Sequence, residues 1–247
     1  MCVTLLALCA SCDQSGEKAN GSPAAPGSRE AGGARDIRKG NGLVRGRVTF
    51  VGTPPVMKEI ANDHCRPDAP TLKEETVIVG ANGGLKNVMV SIEGLGAMDG
   101  SSLPPARLDQ VNCRYVPHVL GLCAGQTLTV TSADPTLHNV QFAGTLNRAQ
   151  NFGMTQAGAT RDVTTLTNPE VVPVRCDVHP WMLAYVVVTE NPFFAVTGDD
   201  GTFEIKNLPP GDYKLVAWHE RYGRLEQPVS VTNENEKPLD VKFDYKQ

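Results

Sequence analysis

From Gly42 onward the chain is cut into short β-branched runs by Gly, Pro, Asn and Asp at spacings near ten residues. This punctuation constrains the fold more than any other feature, because no stretch keeps a 3.6-residue apolar period long enough for an amphipathic helix. The runs "LVRGRVTFVG", "TVIVG", "NVMVSIEG", "ARLDQVN", "TLTVTS", "HNVQFAG", "RDVTTLT", "VVPVRC", "LAYVVVT", "FFAVTG", "TFEIKNL", "DYKLVAWHE", "LEQPVSVT" and "LDVKFDY" all read as strands. The fold class is therefore all-β, with more strands than one small sandwich holds.

The segment before these strands differs in kind. Residues 1–12, "MCVTLLALCASC", form an apolar run too short to span a bilayer and placed where a secretory signal belongs. Cys12 after "CAS" resembles a bacterial lipobox, which implies a lipid anchor on that thiol; a plain cleaved signal is the alternative. Residues 13–41 are rich in Gly, Ser, Ala and Pro and cannot bury a core, so they read as a disordered tether with an r.m.s. reach of about 30 Å. Export to the periplasm or cell surface follows as an expectation, and it makes disulfides possible.

Charge narrows the partners. With 23 Lys+Arg against 27 Asp+Glu, the net charge of −4 and the lack of a basic stripe exclude a nucleic-acid surface. No nucleophile elbow, phosphate loop or haem-attachment motif occurs, and the histidines beyond the pair below stand in unrelated contexts, so the chain reads as a non-enzyme.

Between the runs "VVPVRC" and "LAYVVVT" lies "CDVHPWM", which carries Cys176, His179 and Met182 at three-residue intervals. Two imidazoles and a thiolate in a plane with a weak axial thioether make the donor set of an electron-transfer copper site. One loop between two strands can supply three of these donors, and "DPTLHNVQFAG" offers His138 at the start of another strand as the fourth. Zinc is the competing ion for a Cys-His-His set, but a thioether suits copper better than zinc. Each residue alone is more often structural; the ordered four are not explained that way.

The pair "LHNVQF" and "CDVHPWM" resembles the cupredoxins, the type 1 blue copper proteins, and within them the amicyanin and plastocyanin-like members. The likeness runs over residues 106–190 and implies a Greek-key β-sandwich and one copper ion cycling between Cu(II) and Cu(I). It implies His138, Cys176 and His179 as in-plane ligands, Met182 as the axial donor, and Asn139 as the residue tying the two ligand loops together. It also implies that Pro180 and Trp181, beside His179, form an exposed patch for a redox partner such as a c-type cytochrome or a dehydrogenase.

The flanks carry a second resemblance. "GLVRGRVTFVG" and "VTGDDGTFEIKNLPPGDYKLVAWHE" are similar to the carboxypeptidase-regulatory-like family of small prealbumin-type sandwiches. The expected arrangement is a sandwich split into residues 42–105 and 191–247 with the copper domain, 106–190, inserted; an unsplit chain, with the early strands in the copper domain, is the alternative. Of the remaining cysteines, Cys65 and Cys113 are expected to bridge the two domains, with Cys113–Cys123 as the other pairing. Closing a loop of nearly 50 residues contributes about 4 kcal/mol in the chain-entropy account. His118 and His219 read as structural and His64 as a solvated loop residue.

The favoured reading is thus a membrane-tethered one-electron carrier. The competing reading, from another class, is a cell-surface β-sandwich that binds a polysaccharide or protein and uses a structural metal or none. Copper storage or delivery is a third.

Overall fold

The computed structural model describes residues 40–61, 65, 71–232 and 239–246. The leader with Cys12, the tether through Lys39, and His64 lie outside the described residues.

No α-helix occurs among the described residues, and the strands fall into two groups. The middle of the chain builds one sandwich. Its five-stranded sheet runs β10 (Gln150–Met154), β9 (His138–Phe142), β12 (Glu170–Arg175), β13 (Leu183–Thr189), β7 (Val119–Cys123). Its four-stranded sheet runs β11 (Thr160–Val163), β8 (Leu128–Ser132), β5 (Ala106–Gln110), β6 (Tyr115–Val116). Period-2 alternation sends Leu128 and Val130, Val140 and Phe142, Val172 and Val174, and Ala184, Val186 and Val188 into the core between them.

The two ends of the chain build the other. β1 (Gly42–Val51) lies between β15 (Thr202–Leu208) and β18 (Leu239–Lys246), antiparallel to the first and parallel to the second. β4 (Met89–Glu93) lies between β14 (Phe194–Val196) and β16 (Gly211–His219), and β16 pairs with β17 (Gly223–Val231). Val44, Val48, Val90, Ile92, Phe203, Ile205, Leu215 and Tyr245 fill its core. β1 and β4, both before Ala106, thus pair with strands after Thr189. The turn Asp199–Gly201 needs glycine: Gly201 has φ 75° and a Cβ there would meet the Val48 carbonyl oxygen at 2.2 Å.

The sandwiches meet along β7 and β13. "LAYVVVT" buries residues on both of its faces, as a strand covered on two sides must: Val186 faces its own core, while Val187 joins Val119 and Met89 in a separate cluster with Phe194 and Trp218 at its margin. The close approach depends on Gly121, where a Cβ would stand 2.3 Å from the Phe194 ring.

Several expected strands differ. "TVIVG" makes only an isolated bridge at Val79. "VLGLC" and "QNFGM" are strands β7 and β10; a Cys-rich stretch and a polar one hide the alternation. A two-residue pair, β2 (Glu59–Ile60) with β3 (Leu72–Lys73), also forms.

Candidate metal centre

The alternation that fills the core also builds the site. His138 is the first inward residue of β9, in series with Val140 and Phe142. Cys176 continues the inward series Val172, Val174 one step past β12, and Met182 precedes the inward series Ala184, Val186, Val188 of β13. Because β9, β12 and β13 are neighbours, these three side chains converge at one end of the core. The loop between Cys176 and Met182 closes on itself: the Met182 amide donates to the His179 carbonyl (2.9 Å) and the Cys176 amide to the Met182 carbonyl (3.3 Å). That turn folds His179 back over the same point.

The resulting geometry is compact and dry. Nδ1 of His138 and Nδ1 of His179 are 3.0 Å apart, and Cys176 Sγ lies 3.8 Å from the latter. All four side chains are buried. His138 Nε2 lies 2.9 Å from the Asp134 carboxylate, which accepts only from a protonated nitrogen, so the His138 lone pair is on Nδ1 and aims at His179. Two imidazole nitrogens bound to one ion at about 2.0–2.1 Å stand about 3.0–3.3 Å apart, which is the spacing found. Burial alone would push the Cys176 thiol up, but hydrogen bonds from His138 and from the amides of Asn139, His179 and Val178 outweigh it and hold the thiol below its ordinary value. The donor set therefore fits a soft, thiolate-binding metal.

Asn139 points outward from β9 and clasps the other ligand loop. Its Oδ1 accepts from the Asp177 amide (2.6 Å), and its Nδ2 donates to Asp177 Oδ2 (2.8 Å) and Asn151 Oδ1 (2.9 Å). The Tyr115 hydroxyl contacts the carbonyls of both Asn139 (2.6 Å) and Arg175 (3.0 Å), fastening the same two strands from the opposite sheet.

Cys65 and Cys113 form a disulfide, and Cys123 is a buried free thiol. Asp134 also accepts from the amides of Asn112 (2.7 Å) and Cys113 (2.9 Å). His118 pairs with Glu220 across the two sandwiches, and His219 is buried.

The exposed patch expected around His179 needs correction. His179 is only 4 % exposed and Trp181 is half-buried, because its indole N–H donates to the Cys113 carbonyl (3.1 Å) and its ring lies against His179. Pro180 is exposed, and so are Val178 and Leu137, each next to a candidate ligand histidine and each nearly half exposed. Exposed Val and Leu were not singled out because their types alone predict burial.

No family profile matches the chain, and no curated protein is similar to it. Similar solved structures include the M98A mutant of amicyanin in its Cu(I) form (24 % identity, 40 % of this chain, 98 % of that chain, TM-score 0.31). A purple cupredoxin from Nitrosopumilus maritimus shares 23 % identity over 34 % of this chain and 99 % of that one, at TM-score 0.29. A copper-containing nitrite reductase from Thermus scotoductus SA-01 shares 20 % over 36 % of this chain and 23 % of its own, at TM-score 0.31. TM-scores this low leave the reading of the site to its own residues.

Proposed function

We propose that this chain is an exported copper protein that passes single electrons between redox proteins, acting as a carrier and not as an enzyme. The observation that carries the reading is the convergence of His138 Nδ1 and His179 Nδ1 at 3.0 Å beside Cys176 Sγ, with Met182 buried at the end of the same loop. His138, His179, Cys176 and Met182 would hold the ion. A copper ion in such a set supplies one-electron chemistry with little change of geometry between its two states.

The chain's own residues keep that geometry fixed. Asp134 sets the His138 tautomer, Asn139 and Tyr115 lock β9 to the Cys176 loop, and the buried walls exclude water. Leu137, Val178 and Pro180 supply an exposed apolar surface on the ligand loops, suited to brief contact with a c-type cytochrome or a dehydrogenase. Tethering at the membrane through Cys12 belongs to the same proposal.

Two tests bear on it. Copper added to the purified mature domain should give an intense thiolate-to-copper absorption band and a narrow copper hyperfine splitting in electron paramagnetic resonance. Cys176→Ser should abolish both. A wild-type protein that binds copper without either signal would sink the assignment.

A further inference from the structure

The Cys65–Cys113 disulfide lies against the metal centre itself. The Cys113 sulfur, Nδ1 or Nε2 of His138, and a ring nitrogen of His179 all lie within 4.8 Å of one another, and all three residues are buried. The chain also takes an unusual backbone to bring that sulfur there. Asn112 and Cys113 are consecutive non-glycine residues in the left-handed region, each at φ 53°, a conformation that side chains other than glycine rarely adopt even singly. Both of their amides are held by the Asp134 carboxylate, the same group that orients His138. A bridge that served only to join two segments would have no need of this placement.

We propose that Cys113 is a latent metal ligand, released when the disulfide is reduced. Reduction by a dithiol balances simply. The two S–H bonds of the dithiol are exchanged for its own disulfide, and the protein's S–S bond becomes two thiols, on Cys65 and Cys113. The Cys113 thiol then loses its proton as its sulfur binds the ion. Ligand sulfur and nitrogen atoms on one tetrahedral ion stand about 3.5 Å apart, and the Cys113 sulfur, already within 4.8 Å of a nitrogen of each histidine, is free to move onto the ion once Cys65 no longer restrains it. The donor set becomes Cys113, Cys176, His138 and His179, a closed tetrahedral set of two thiolates and two imidazoles that favours a closed-shell ion such as Zn(II). In the disulfide form the protein presents one thiolate and carries electrons; in the reduced form it holds metal tightly and does not.

The inference rests on the proposed ligand roles of His138 and His179, and Co(II) separates the two because it stays divalent and shows its thiolate ligands by charge-transfer absorption. Wild-type protein loaded with Co(II) should show the band of one thiolate, Cys176. Cys65→Ser, which frees Cys113 without any reductant, should raise that band roughly twofold. The double variant Cys65→Ser/Cys113→Ser should return it to the wild-type level. Wild-type protein reduced with a phosphine provides the same thiol without a mutation and should match Cys65→Ser. Equal bands in Cys65→Ser and in the double variant, together with no change on phosphine reduction, overturn the proposal while the wild-type band still supports the site. A wild-type protein with no thiolate band would instead refute the ligand roles.

Discussion

Asp134 is the residue on which most of the centre's order depends. It is buried, and it takes the His138 ring N–H and the Asn112 and Cys113 amides at once. Carboxylates that fix a ligand imidazole in this way typically change metal affinity by 10–100-fold when lost. Asp134→Asn keeps the shape but removes the charge, and it should weaken copper binding by about that factor in competition with a chelator, with the fold intact by circular dichroism. An unchanged affinity would mean that the strand alone orients His138. The residue was not legible in the sequence, where an Asp before Pro is an ordinary turn former. The proposed ligands His138, Cys176, His179 and Met182 could be named from the sequence because their order and spacing are local. The position of Cys113 beside the histidines depends on the path of the whole sandwich, so a pairing could be expected from sequence but a place in the metal site could not.

At the scale of elements, the same alternation that made the strands readable also explains the site, since three of the proposed ligands belong to the inward series of β9, β12 and β13. What alternation does not reveal is which strands meet. β7 and β10 break the pattern with "LGLC" and "NFG"; β10 pairs with the preceding strand β9, but the partner of β7 is β13, some sixty residues along the chain. Gly121 on β7 shows the consequence. It permits the Phe194 ring of the other sandwich, with Met89, to pack close against the sheet. Gly121→Val should therefore cost about 1–3 kcal/mol by overpacking, read from urea unfolding. The companion change Phe194→Ala should recover part of that loss by giving the valine room. If the double variant is no more stable than Gly121→Val alone, the contact with Phe194 is not what requires glycine there.

The two sandwiches touch through His118 with Glu220 and Tyr185 edge-on to Trp218, and beside these, within the sandwich built by the chain's ends, His219 stacks on Tyr222 next to Tyr245. His219 makes this region sensitive to acid. Burial, with smaller contributions from Glu220 in the opposite sense and from His118 and Arg221, lowers it from 6.5 to about 4, and its Nδ1 accepts from the Arg221 amide (3.2 Å) as a neutral ring must. In the unfolded chain the ring takes up a proton below about 6.5, whereas in the fold it does so only near 4. Between these values the unfolded state binds more protons, so stability falls as pH drops through the window from 6.5 to 4 and is unaffected by this group above it. The accumulated loss is about 3 kcal/mol. His219→Gln retains an acceptor for the Arg221 amide but does not titrate. Its stability relative to wild type, from urea unfolding at each pH, should therefore improve by about 3 kcal/mol between pH 8 and pH 4, while the carboxylates common to both proteins cancel. A difference between the two proteins that stays constant over that range would show that His219 is not buried as a neutral ring.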